Sequence, residues 1–204
     1  HELKGALHGL FRVRAFTQDD AHLFVRPDQI TDMVMETAHL ITSYYKQFDF
    51  PYKVELSTRP DDSMGSDEDW ALAEEGLRKA LEAMDVDYTL NEGDGAFYGP
   101  KIDFHLKDCL GRTWQCGTIQ LDFQLPQNFE LEYTDSDGTK KRPIMIHRAG
   151  FGSFERFIGM LTEQYAGKFP TWLAPCQVKV LPVSEKHREY ANHVADKLKA
   201  AGVR

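Results

Sequence analysis

Apolar and polar positions alternate from Leu10 to Phe24, and the two-residue period predicts an extended strand there. From Asp28 to Phe48 the period changes. Ile30, Met33, Val34, Ala38, Leu40, Ile41 and Tyr45 recur at helical spacing, and Asp28 after Pro27 is a helix start signal. Alternation returns over 52–59. Ser66 with Asp69 three residues on resembles a capping box that opens a helix from Glu68 to Met84. Short strands are predicted over 87–90, 99–106, 111–123, 130–133 and 142–148, with turns such as Asp137-Gly138 among them. A helix that is apolar on most sides follows from Phe154 to Tyr165, and two prolines mark 169–175 as a linker. The chain then predicts a strand over 177–183 and a helix over 185–200 that Gly202 stops.

This order fits an α+β fold, a mostly antiparallel sheet flanked by helices, better than alternating βαβ units. One strand and one helix cannot bury a core alone. The last segment therefore reads as the first βα unit of a second domain, with residues 1–172 and 173–204 as the two parts. Both ends read as cut, since the chain opens on His1 and enters strand periodicity almost at once.

Composition narrows the classes. Asp and Glu number 32 against 24 Lys and Arg, a formal net charge of −8, which argues against holding DNA or RNA by bulk electrostatics. Any RNA contact is local or lies outside this chain. The three cysteines, Cys109, Cys116 and Cys176, are an odd count that reads as free thiols of a reducing compartment, with the cytoplasm as the expectation. No apolar run approaches the roughly 18–20 residues of a membrane span.

Two segments carry chemistry. If 11–23 is extended, Arg12, Arg14, Phe16, Gln18, Asp20 and His22 share one face and Phe11, Val13, Ala15, Ala21 and Leu23 the other. The functional face runs from two guanidinium groups through an aromatic ring to an amide, a carboxylate and an imidazole. That order suits a ligand with phosphates at one end, a flat base and an ammonium group. The second segment, Ile144 to Leu161, reads as a strand, a Gly-rich turn and a buried helix whose first turn presents Ser153 and Arg156. A helix start and an arginine together favour an anion.

The stretch from Arg12 to His22 resembles motif 2 of the class II aminoacyl-tRNA synthetases, and Gly152-Ser153-Phe154-Glu155-Arg156 resembles motif 3. The variants Phe16-Thr17-Gln18-Asp19-Asp20-Ala21-His22 and Met145-Ile146-His147-Arg148-Ala149 are those of the bacterial threonyl-tRNA synthetase family, and the likeness covers residues 2–204. The resemblance implies ATP-dependent activation of L-threonine, with Mg²⁺, and transfer to tRNA(Thr) by a homodimer in the cytoplasm. It makes Glu2 the reader of the adenine amino group, Phe16 the ring stacked on adenine, and Arg12 and Arg156 catalytic phosphate ligands. Phe11, Cys116, Gly152 and Ser153 join that ATP site. Gln18, Asp20, Tyr98 and Gln120 form the threonine pocket, and Lys101 lies nearby with a catalytic role. His22 and His147 match two of three zinc ligands, the third being a cysteine ahead of residue 1.

By residue type alone, His22, His147 and Cys116 make a three-ligand zinc site and thus a hydrolase. The two arginine clusters have no role in that scheme. The resemblance places Cys116 on a central strand where Gln115 and Thr118 both touch ATP, although their spacing is odd. Gly117 is therefore expected to mark a bulge that switches parity once. The alternative class is a non-catalytic RNA-binding or regulatory relative, which has no reason to keep the whole ligand row.

Overall fold

The structure is a computed structural model that describes residues 5–204. Glu2 lies outside the described residues. Residues up to Leu161 form one compact unit and Thr162–Arg204 another.

The first unit begins its regular structure at β1 (Ala21–Val25), followed by a 3₁₀ turn at Pro27–Gln29 and α1 (Ile30–Gln47). Next come β2 (Tyr52–Ser57), α2 (Asp67–Ala83), β3 (Tyr88–Asn91), β4 (Lys101–Lys107) and β5 (Thr113–Asp122). A short α3 (Gln124–Asn128) precedes a hairpin of β6 (Tyr133–Thr134) and β7 (Lys140–Lys141). Then β8 (Ile144–Ala149) leads into α4 (Phe154–Gln164). As expected, the Ser66 hydroxyl accepts from the Asp69 amide at 3.1 Å and starts α2.

Six strands make one sheet in the order β1-β8-β5-β4-β2-β3. All neighbours are antiparallel except β2 and β3, which are parallel because α2 crosses between them. Val54, Leu56, Ile102, Phe104, Ile119, Leu121 and Ile146 point to one face and are buried. The stripe Ile30, Val34, Ala38, Ile41, Tyr45 of α1 and Trp70, Ala73, Leu77, Ala80, Leu81 of α2 supply the helical side of this core. Burial of such apolar surface contributes on the order of 25 cal/mol per Å² and leaves the opposite sheet face free for polar groups.

The expected strand over Leu10–Phe24 forms only from Ala21. Ahead of it the chain turns at His8–Arg12, bends at Arg14–Ala15, and touches the fold through an isolated bridge between Gln18 and Ser153. A ladder needs a neighbour, and β8 runs alongside only from Ala21 opposite Arg148. Alternation survives at both ends of the segment: Phe11 is buried and Arg12 and Arg14 are exposed, while His22 and Phe24 are exposed and Val25 is buried. Of the expected strand 130–133 only Tyr133 enters a ladder, in β6, because α3 and its closing turn occupy the chain up to Leu131. Asp122 starts α3 by accepting from the Gln124 and Leu125 amides at 2.8 and 2.9 Å. The helix closes through Glu130 at a φ of 53°, with the Glu130 and Leu131 amides bonded back to the Gln127 and Pro126 carbonyls at 3.0 and 2.9 Å.

The expected bulge is present. Phe104 stands opposite Gly117 and His105 opposite Gln115, so Cys116 is the extra residue. A Cβ at Gly117 would overlap the Tyr45 hydroxyl, which donates to the Gly150 carbonyl at 2.5 Å.

In the second unit a 3₁₀ turn at Glu185–His187 leads into α5 (Arg188–Ala200). Segment 177–183 has no ladder partner among the described residues. Only the Gln177 and Val178 amides are held, by the Arg204 carbonyl at 2.7 and 3.2 Å, and Leu181 and Val183 are exposed. A lone strand has nothing to pair with and nothing to bury.

Gly117→Ala should lower unfolding stability by about 1–3 kcal/mol through overpacking against Tyr45, measured by urea denaturation. An unchanged midpoint would mean that this close approach does not constrain the fold.

Candidate active site

The polar face of the sheet is built by register. Lys101 on β4 stands opposite Gln120 on β5, Gln120 opposite His147 on β8, and His147 opposite His22 on β1. These four candidate side chains thus form one row across four strands, drawn from sequence positions that are far apart. Tyr98, just before β4, joins the row by donating its hydroxyl to Gln120 Oε1, and Gln120 Nε2 donates to Thr118 Oγ1 at 3.3 Å. Burial raises the pKa of the Tyr98 phenol, and the Asp122 and Asp20 carboxylates add to the shift.

Beside this row lies a cleft of about 400 Å³ lined by Phe11, Arg12, Val13, Phe16, Gln18, Gln115, Cys116, Thr118, Gln120, Gly152, Ser153 and Arg156. Phe16 is 57% exposed, so one ring face is free to stack. Gln115 and Thr118 both reach the cleft because the bulge restores the parity that their spacing breaks. Arg156 is pinned: Nε donates to the Phe11 carbonyl at 3.1 Å, Nη1 to the Gln115 carbonyl at 3.3 Å, and the guanidinium stacks over Trp114. Every residue of the expected ATP set within the described residues lines this one cleft.

His22 and His147 meet edge to face with ring centroids 4.6 Å apart. His147 Nε2 lies 2.8 Å from Oδ2 of the fully buried Asp122. A carboxylate only accepts, so Nε2 carries the proton there and Nδ1 is the nitrogen left for a metal. Among the described residues no third side chain completes a metal set with the two histidines. Cys116 is not that ligand: it is buried with Sγ 3.9 Å from Met160 Sδ, and burial pushes its thiol up to about 12, against the thiolate a metal needs.

Three functional carboxylates went unassigned from the sequence. Asp122 orients His147 with one oxygen and caps α3 with the other. Asp19 accepts from the amides of Gly150 and Phe151 at 2.8 and 3.0 Å, while Arg148 donates to the Asp19 carbonyl at 3.0 Å. Glu155, which could pass for an ordinary helix charge, accepts from the Thr17 amide and from the Ser153 hydroxyl at 3.0 Å. Hydrogen bonds from its own amide, from Thr17 and from Ser153 hold its carboxyl below the usual glutamate range. A lowered folded value means that this tie is present at neutral pH and lost as pH falls through that value. Asp19 and Glu155 clamp segment 14–20 onto the turn after β8. Glu155 carries only the signal of a carboxylate in the first turn of a helix, too common to single out, and Asp19 carries none.

The family model for the tRNA synthetase class II core domain (G, H, P, S and T) matches residues 1–165. The chain belongs to the class II tRNA synthetases. It is 64% identical over all 204 residues to the threonine–tRNA ligase of Clostridium tetani and 65% identical to that of Clostridioides difficile. It spans 32% of the length of each. A crystal structure of the RNA binding domain of threonyl-tRNA synthetase from Cryptosporidium parvum Iowa II matches it with a TM-score of 0.92 at 48% identity, covering 99% of this chain and 51% of that one. The antiparallel sheet with its polar face is thus the class II core.

Asp19→Ala should speed hydrogen exchange at the Gly150 and Phe151 amides by roughly tenfold or more, since both lose a charged acceptor. Unchanged protection would show that the turn holds its shape without the clamp.

Proposed function

We propose that this chain is the central part of a threonine–tRNA ligase, activating L-threonine with ATP to threonyl-adenylate and passing it to tRNA(Thr). The observation that carries the reading is the continuity of the cleft with the row: Arg12, Phe16, Arg156, Gln115 and Thr118 line one side, and Gln18, Gln120, Tyr98 and His147 continue from it. The likeness to proteins named threonine–tRNA ligase supports the choice of amino acid.

In the activation step the threonine carboxylate attacks the α-phosphate and pyrophosphate leaves. Negative charge gathers on phosphoryl oxygens, so positioned cations supply most of the help, and no covalent enzyme intermediate is needed. Arg12 and Arg156 are the phosphate ligands, Mg²⁺ accompanies ATP, and Phe16 carries adenine. Ser153 and Gly152 lie at the start of α4, where the helix dipole favours an anion. Lys101, next in the row to Gln120, is the third cation of the catalytic set. Asp20 and Gln18 take the threonine ammonium side, and Tyr98 and Gln120 close the pocket.

The paired imidazoles and the buried Asp122 behind His147 fit a zinc site whose remaining ligand comes from the rest of the enzyme. Zinc there would bind the amino group and hydroxyl of threonine and so reject valine, since sites built around a hydroxyl discriminate by roughly 10⁴ or more. We assign residues 1–172 to the catalytic core and 173–204 to the start of an anticodon-binding domain. The intact enzyme is proposed to be a cytoplasmic homodimer.

In the full-length enzyme, threonine-dependent exchange between ATP and pyrophosphate should fall roughly a hundredfold or more in Arg156→Ala; near-normal exchange would remove Arg156 from the mechanism. Zinc measured per subunit should drop in His147→Ala, and unchanged zinc would sink the metal assignment.

A further inference from the structure

Behind the cleft lies a carboxylate with no assigned role. Asp103, on β4 opposite Thr118, is 1% exposed. Its Oδ1 accepts from Gln115 Nε2 at 2.7 Å, and its Oδ2 accepts from the Lys101 ammonium. Lys101 reaches a second carboxylate, Asp94 Oδ2, at 3.4 Å. We propose that Asp103 is a positioning residue that decides which atom Gln115 presents to the nucleotide and where Lys101 points; this rests on the ATP site proposed above.

Donor and acceptor counts dictate the orientation. A carboxylate accepts only and an ammonium donates only. With one Asp103 oxygen taken by Lys101, the other can be met only by the amide nitrogen of Gln115. The Gln115 side chain is therefore locked with its carbonyl oxygen left for the cleft. An exposed glutamine turns freely between two nearly identical shapes, and this one is given a polarity. It becomes an acceptor, suited to a ligand hydroxyl or amino group and not to a phosphate oxygen. Both partners reach Asp103 by register: Lys101 is two residues away on the same strand face, and Gln115 joins that face only through the bulge.

The lock can be reversed. In Asp103→Asn the new oxygen must face Lys101, which leaves an NH₂ toward Gln115. Gln115 then has to turn its oxygen inward and offer a donor to the cleft. Gln115→Glu sets a carboxylate against a carboxylate. The double variant restores a donor–acceptor pair, with the NH₂ of residue 103 facing one oxygen of the new carboxylate at position 115 and the other oxygen returned to the cleft as an acceptor.

The test is threonine-dependent ATP–pyrophosphate exchange in the full-length enzyme, with thermal melts by circular dichroism as the folding check. D103N and Q115E should each raise the KM for ATP roughly tenfold or more, and D103N/Q115E should return to within about threefold of wild type. Losses that simply multiply in the double variant, or a D103N enzyme with unchanged KM, would overturn the proposal. So would failure of D103N to fold both alone and with Q115E, which would mean that Asp103 serves packing only. Wild-type enzyme without threonine-dependent exchange would instead overturn the reading of the ATP site itself.

Discussion

A side chain at Gly117 would overlap the Tyr45 hydroxyl, and the hydrogen bond that this hydroxyl donates to the Gly150 carbonyl joins α1 to the turn after β8. The same glycine belongs to the bulge that brings Gln115 and Thr118 onto one face. One residue without a Cβ thus serves two ends: it lets a helix approach the sheet, and it turns the strand so that its polar groups meet the cleft. Gly150 carries the link onward, because its amide is held by Asp19, next to Gln18 and Asp20. Helix, strand, turn and ligand segment are tied in series through buried polar contacts, which are expensive to leave unmade.

The open face shows how an antiparallel sheet converts distance along the chain into proximity. Each ladder aligns one functional residue with the next, so that Lys101, Gln120, His147 and His22 stand in a row without any loop having to place them. The other face of these strands is buried in the core, and groups on packed regular elements hold geometry better than groups on loops. The loop-borne residues Arg14 to Asp20 are tied to the rest of the fold through the Asp19 carboxylate on the Gly150 amide and the Thr17 amide on Glu155.

Carboxylates do much of the orienting. Asp122 selects the His147 nitrogen that carries a proton, Asp103 selects the Gln115 atom that faces the cleft, and Asp19 holds two amides of the turn. For His147 and Gln115 an acceptor-only group forces a side chain that could present either of two atoms to present one, while Asp19 simply satisfies two backbone donors.

The sequence by itself determined the element types, the apolar stripes of α1 and α2, the α+β class and the candidate ligand residues of both motifs, because periodicity and short motifs are local properties of the chain. With the family resemblance, which put Gln115 and Thr118 on the same ligand, it also located the bulge, since the two could share a face in no other way on one strand. It overran the strand at 10–20 and promised one at 177–183, because alternation records which side a residue faces and not whether a partner runs alongside. Asp19, Asp103, Asp122 and Glu155 were illegible as functional groups. An aspartate in sequence has no direction, and each acquired its role from a residue 12 to 138 positions away that only the tertiary fold brings within hydrogen-bond distance.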